Sequence, residues 1–206
     1  RRRDGGLGRE VPQGTVLDRM TDQLPFPLEG STLILGPSNV GKTRLTAQAL
    51  DRWIDEHGTG AVVVLEFGPE YQHEGRVLGR QLEHFMAIPE GVWQGVVDAH
   101  APRAEGATAA ESTQLALENA RQAASIIDSA PEDPRAVFAN DATIPFQHED
   151  ADPAMLTDYC DRAACAVLNA FESDELGTDD PVSRAERRTL AHFRDWADRV
   201  IELSDE

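Results

Sequence analysis

The sequence predicts an α/β fold with a mostly parallel central sheet flanked by helices, and three observations carry that reading. Apolar, strand-like runs alternate with helix-like stretches along the chain. The run Ala61-Val62-Val63-Val64-Leu65-Glu66-Phe67 is apolar throughout except for one acid, the pattern of a parallel strand covered on both faces. A glycine-rich turn, Gly36 to Thr43, lies between a strand candidate and a helix candidate.

Residues 1–28 are rich in Gly, Pro and charge and read as an N-terminal tail with a short helix near Val16 to Gln23, ahead of one domain over residues 29–206. Thr32 to Leu35 is a short buried strand. Thr43 to His57 carries Leu45, Ala49, Leu50, Trp53 and Ile54 at helical spacing, and Gly58 and Gly60 stop that helix. After the strand at 61–67 comes a polar loop, Gly68 to Gly75, then a short helix from Arg76 to Phe85 and a strand from Gly91 to Asp98. Residues 101–110 read as a weakly ordered Gly/Ala/Pro loop. Glu111 to Ser129 is an amphipathic helix with Leu115, Leu117, Ala120, Ala124, Ile126 and Ile127 available for burial, ended by Pro131 and Pro134. The strand Ala136 to Asp141, a helix from Pro153 to Ala164 and the strand Cys165 to Asn169 follow. An acidic loop, Glu172 to Asp180, leads to a helix from Ser183 to Ala197 and a last strand, Arg199 to Leu203.

Lys plus Arg number 19 against 37 Asp plus Glu, a formal charge of −18. A surface that tracks nucleic-acid phosphates needs clustered basic charge, so no nucleic acid is expected as a partner. The acids are spread along the chain and lysine is replaced by arginine almost everywhere, which favours a solvated, halophile-type surface over an interaction face for a basic partner. No apolar run approaches the ~20 residues that span a bilayer, and Arg1-Arg2-Arg3-Asp4 lacks the apolar segment of a secretory signal, so the expectation is a cytoplasmic protein without a membrane partner. Cys160 and Cys165 have no second pair to complete a zinc site and read as ordinary thiols.

Gly36-Pro37-Ser38-Asn39-Val40-Gly41-Lys42-Thr43 is a complete Walker A pattern, and Lys42 is the only lysine in the chain. Such a loop turns successive backbone N–H groups and the positive end of the next helix toward anionic oxygens. Lys42 would reach the β- and γ-phosphates, the Thr43 hydroxyl would ligate Mg²⁺, and the loop from Gly36 to Arg44 would hold ATP or another nucleotide. A compact ammonium is needed there, and the planar guanidinium is no substitute. Hydrolysis also needs carboxylates near the metal and the attacking water. Asp141 ends an apolar strand and is the candidate metal ligand. Glu66 ends the strand after the phosphate-loop helix and is the candidate for polarising water; with Lys42 it makes up the catalytic set.

The segment Gly36 to Glu66 resembles the core of the RecA/KaiC-like ATPases, through Gly36-Pro37, Gly41-Lys42-Thr43, Leu45-Thr46 and Gln48. The resemblance implies a RecA-like P-loop domain in which Glu66, 24 residues after Lys42, activates water and Asp141 is the Walker B acid. Leu168-Asn169 resembles the next strand of that family, but Ala170 stands where a polar sensor residue is usual. Ala197 to Leu203 resembles a late strand of KaiC-like proteins.

Three polar loops, Gly68 to Arg76, Ala142 to His148 and Phe171 to Arg184, each follow a strand on the same edge and are expected to meet the phosphate site and to decide the substrate. His73 and His148 are candidate acid/base groups or ligands of a second substrate, against the ordinary reading of solvated loop histidines. Arg76 is a candidate phosphate partner. Arg184, Arg187 and Arg188 read first as a solvated helix face and second as an arginine finger; Trp53, Trp93 and Trp196 read as packing. The leading expectation is a Mg²⁺-dependent ATPase used as a regulatory or signalling module. Alternatives are a small-molecule kinase or nucleotidyltransferase resembling adenosylcobinamide kinase, and a nucleotide-binding interaction module with negligible turnover. A protein partner, a second small molecule and a homo-oligomer are all compatible with the sequence.

Overall fold

The computed structural model describes residues 23–69, 71–73, 76–78, 80–172 and 179–204, and no side chain is described over 71–73 and 76–78. Nearly all of the helix expected near Val16 to Gln23 and most of the acidic loop expected over Glu172 to Asp180 lie outside these residues.

Six parallel strands form the sheet: β1 (Gly30–Gly36), β2 (Val62–Glu66), β5 (Trp93–Val96), β6 (Ala136–Asn140), β7 (Cys165–Phe171) and β8 (Arg199–Glu202). Their order is β5-β2-β6-β7-β1-β8. An antiparallel pair, β3 (Tyr71–His73) and β4 (Arg76–Leu78), stands apart. The helices are α1 (Lys42–His57), α2 (Pro102–Glu105), α3 (Ala109–Ser129), α4 (Ala154–Cys160) and α5 (Pro181–Trp196). This is the predicted α/β architecture.

The strands are apolar on both faces because both faces are covered, and successive residues serve opposite cores. Leu33, Leu35, Val63, Leu65, Val137, Ala139 and Leu168 pack into one cluster with Ala123 and Ile127 of α3, Leu156 of α4 and Leu190 and Phe193 of α5. Ile34, Val62, Val64, Phe138 and Val167 pack into the other with Ala47, Leu50 and Trp53 of α1, together with Phe26 and Leu82. Residues 23–28 therefore take part in the packing instead of forming only a tail.

Two local expectations are corrected. The segment Arg76 to Phe85 is not a helix: it begins as β4, paired so that His73 faces Arg76, and ends in a 3₁₀ turn over Leu82–His84. Residues 101–110 are not a plain loop, since α2 begins at Pro102 and Thr108 caps α3. Thr108 Oγ1 accepts from Glu111 N at 3.2 Å while Glu111 Oε2 accepts from Ala107 N at 2.8 Å, two bonds that fix where α3 starts.

Among the described residues no helix is long and apolar enough to cross a membrane. Cys160 and Cys165 are buried free thiols, and burial holds both well above the ordinary thiol range. Trp53 is buried, Trp93 and Trp196 are half-buried against the core, and Trp196 Nε1 donates to Asp161 at 2.7 Å.

Candidate functional site

The chain leaves β1 through Gly36, turns over Asn39 and Gly41 and enters α1 at Lys42. Asn39 (φ 66°) and Gly41 (φ 98°) both take left-handed backbone, which costs an asparagine little and a glycine nothing. A Cβ on Gly41 would meet no atom within 4 Å, so the backbone there faces open space. No side chain caps α1 and its first turn holds no acid, which leaves its N–H groups and positive dipole end presented to that space.

The space is a cavity of about 540 Å³ bounded by Ser38 to Arg44 and closed by Arg80, Phe85, Asp141 and Phe171. Lys42 is buried, its Nζ donating to the Pro37 carbonyl and lying 5.9 Å from the centre of the Phe171 ring. Asp141 has left-handed backbone (φ 54°), and its carboxylate lies against the backbone of Gly68, where a Cβ would come within 2.1 Å of Oδ2. Burial pushes the Asp141 carboxyl up to about 6, against the pull of Lys42 and with a further push from Glu186. The structure thus brings Lys42, Thr43 and Asp141 to one cavity at the carboxyl edge of the sheet, where open α/β folds place ligands.

Glu66 is placed differently. It pairs in register with Asn140 on the neighbouring strand, but its carboxylate is buried and does not bound the cavity. Oε1 accepts from Leu82 N at 2.7 Å and Oε2 from Asn140 Nδ2 at 2.9 Å. Burial raises this carboxyl to about 7, a rise that the two hydrogen bonds limit and that Asp141 and Glu83 add to. From Glu66 a chain of buried amides runs back to the phosphate-loop helix. Asn140 Nδ2 also donates to the Arg80 carbonyl at 3.0 Å, and Asn169 Nδ2 donates to Asn140 Oδ1 and to Thr46 Oγ1, each at 2.9 Å. Thr46 Oγ1 donates to the Lys42 carbonyl at 3.1 Å, and Asn169 Oδ1 accepts from Asp141 N at 3.0 Å. One network therefore fixes the starts of α1 and of the 141–148 segment and holds Arg80 over the cavity.

The sequence reading missed Asn140 and Arg80 entirely and gave Thr46, Asn169 and Phe85 no contact with the site; Phe171, the first residue of a loop expected to meet the phosphate site, does bound the cavity. The usable signal was polar residues inside apolar runs: Asn140 in β6, Asn169 in β7 and Thr46 on the inner face of α1. Such groups are buried only where partners await them.

The remaining candidates divide. His148 is buried, not solvated, its Nδ1 accepting from Asp150 N at 3.1 Å. Arg184, Arg187 and Arg188 do not bound the phosphate-loop cavity; they lie on α5 beside a second one. The side chains of His73 and Arg76 lie outside the described residues. Ala170 is fully buried on β7 and brings no polar group to the site.

A strand, a glycine-rich turn with left-handed joints, a buried lysine and a helix with a bare N-terminus, set in a parallel sheet, define the P-loop fold. No family model and no curated protein matches the chain. Among solved structures it is similar to the crystal structure of Pif1 helicase from Candida albicans, at 11% identity and a TM-score of 0.38, over 95% of this chain and 40% of that one. The chain spans well under half of that helicase, and so slight a likeness adds nothing to what the sheet and loop show.

Proposed function

We propose that the protein binds a nucleoside triphosphate with Mg²⁺, ATP being the leading candidate, and hydrolyses it slowly as a RecA/KaiC-like module of regulatory or signalling type. The observation that carries this reading is the meeting of Lys42, Thr43, the uncapped start of α1 and Asp141 at one cavity. Backbone N–H groups from Ser38 to Arg44 take the phosphate oxygens, and Lys42 exchanges its bond to the Pro37 carbonyl for one to the β- or γ-phosphate. Exposed Phe85 and half-buried Phe171 offer apolar faces to the base or ribose.

The residues present fit the metal. Mg²⁺ is a hard cation that takes few protein oxygens beside phosphate and water, and the Thr43 hydroxyl and the Asp141 carboxylate are such oxygens. When bound, it draws charge from the phosphate oxygens. Glu66, with a carboxyl raised to about 7, has the proton affinity of a base that works at neutral pH. Because Glu66 does not bound the cavity, activation of water by Glu66 calls for movement of the 80–85 segment, which Leu82 N ties to its carboxylate.

A specific observation favours a second reading, a nucleotide-binding interaction module with negligible turnover: both Glu66 oxygens are engaged, and Ala170 supplies no sensor. A kinase or nucleotidyltransferase activity is a third reading and calls for an acceptor site. Phosphate release with Mg²⁺ and ATP in multi-molar KCl, with and without small-molecule acceptors, separates the three. Lys42→Ala abolishes nucleotide binding, whereas Glu66→Gln keeps binding and stops hydrolysis. Unchanged turnover in Glu66→Gln removes the water-activating role, and unchanged binding in Lys42→Ala removes the phosphate-loop reading altogether.

A further inference from the structure

The geometry points to a second ligand site, for a small molecule that carries an oxyanion group, phosphate or carboxylate, beside a hydroxyl or N–H donor. The site is a groove of about 640 Å³ between the first turns of α5 and the end of the 141–148 segment. That volume lies within the range of small-molecule pockets.

Arg184, Arg187 and Arg188 bound one side of the groove at positions i, i+3 and i+4 of α5, the spacing that brings three guanidinium groups to one helix face. Three such cations stand together in a chain of formal charge −18. Arg184 donates to the Asp179 carbonyl, which steadies its side chain, and Arg188 is exposed and makes no hydrogen bond or ion pair among the described residues. Planar guanidinium groups suit two-point recognition of carboxylate and phosphate.

The other residues that bound the groove say what else the ligand carries. Gln147 is 1% exposed, and its Nε2 donates to Glu186 Oε1 at 2.9 Å. That bond fixes the amide, because a flipped Gln147 would set oxygen against carboxylate. Its Oε1 is then a buried acceptor with no hydrogen-bond partner among the described residues. Beside it, His148 Nδ1 accepts from Asp150 N, so in the neutral ring Nε2 carries the proton and is a donor. Glu149, also on the rim, opposes an anion at that end and leaves the arginine end for the oxyanion. A ligand with its oxyanion on the arginines and a hydroxyl or amide N–H on Gln147 satisfies both walls.

The groove is joined to the phosphate-loop cavity through few atoms. Thr143 Oγ1 and Gln147 Nε2 share Glu186 Oε1, at 3.0 and 2.9 Å, and Thr143 stands two residues after Asp141. Arg103 pairs with the other oxygen of Glu186 at 2.6 Å, which holds this wall in place.

The test is calorimetric titration of the full chain carrying Lys42→Ala, which removes the phosphate loop as a competing anion site, at constant ionic strength. The probes are glycerol 3-phosphate, methyl phosphate, malate and glycerol. Glycerol 3-phosphate or malate is expected to bind and glycerol not to, and whichever anion binds identifies the oxyanion. The double variant Arg184→Gln/Arg188→Gln is expected to weaken binding at least about tenfold, the loss of one or two charge-assisted hydrogen bonds. If the phosphate is the ligand, glycerol 3-phosphate binds more tightly than methyl phosphate, and Gln147→Met removes that preference. Failure of both glycerol 3-phosphate and malate to bind, or affinity unchanged in the double arginine variant, overturns the proposal. Either result leaves the nucleotide reading untouched, since that reading is tested with Lys42 in place.

Discussion

Glu66→Gln isolates the energetics of the buried carboxylate from its chemistry. The carboxyl is raised from 4.5 to about 7 chiefly by burial, a difference of about 3 kcal/mol between its two protonation states. Because the folded-state value is the higher one, the folded protein binds more protons than the unfolded chain between those values. This group's contribution to stability is therefore fully present below pH 4.5, falls as pH rises, and levels off above about 7. The glutamine variant lacks the titration but keeps the shape. Its amide oxygen meets either Leu82 N or Asn140 Nδ2, not both, so one hydrogen bond is lost at about 1 kcal/mol. The variant is expected to be about 2 kcal/mol more stable than the parent at pH 8 and about 1 kcal/mol less stable near pH 4.5. Denaturant unfolding at fixed salt across that range measures the difference. A difference that does not change with pH would refute the account of Glu66 as a carboxylate held unfavourably charged in the core.

Other outcomes follow from the same geometry. Asn169→Leu strips partners from Thr46, Asn140 and Asp141 N at once and is expected to cost about 2–4 kcal/mol in chemical unfolding, with nucleotide affinity falling as well. Gly68→Ala drives a methyl group into the Asp141 carboxylate; it is expected to raise the Mg²⁺ concentration needed for nucleotide binding while leaving metal-free binding near that of the parent. Cys160 and Cys165, both buried and both with raised thiol values, are expected to resist a thiol reagent in the native state and to react fully once the chain is unfolded, as a colorimetric time course shows.

The sheet and the phosphate loop were legible in the sequence because their signals are local. Val62 to Leu65 can only be a doubly covered strand, and Gly41-Lys42-Thr43 between β1 and α1 needs no distant partner to be understood. The 76–85 segment was not legible, since what places it is the bond from Leu82 N to Glu66, 16 residues back, and from its Arg80 carbonyl to Asn140, 60 residues on. Propensity cannot see either bond. Asp141 was legible as a strand-end acid and does face the cavity. Glu66 looked equivalent, and only Asn140 on the neighbouring strand and Leu82 N in the 3₁₀ turn show that both its oxygens accept hydrogen bonds inside the protein. His148 was misjudged for the same reason: a loop histidine is solvated by default, and here the loop folds back under α5.

The two faces of the sheet are unequally covered. Among the described residues α3, α4 and α5 pack on one side, whereas on the other α1 is the single α-helix, helped by residues 23–28 and the short 80–88 segment. The element whose first turn bounds the phosphate-loop cavity is thus also the keystone of half the hydrophobic core. Ligand occupancy and global folding are consequently linked through one piece of secondary structure: whatever grips the start of α1 shifts the whole unfolding equilibrium by mass action. In a chain whose surface charge works against compaction, a nucleotide bound as proposed would be a structural component as well as a substrate.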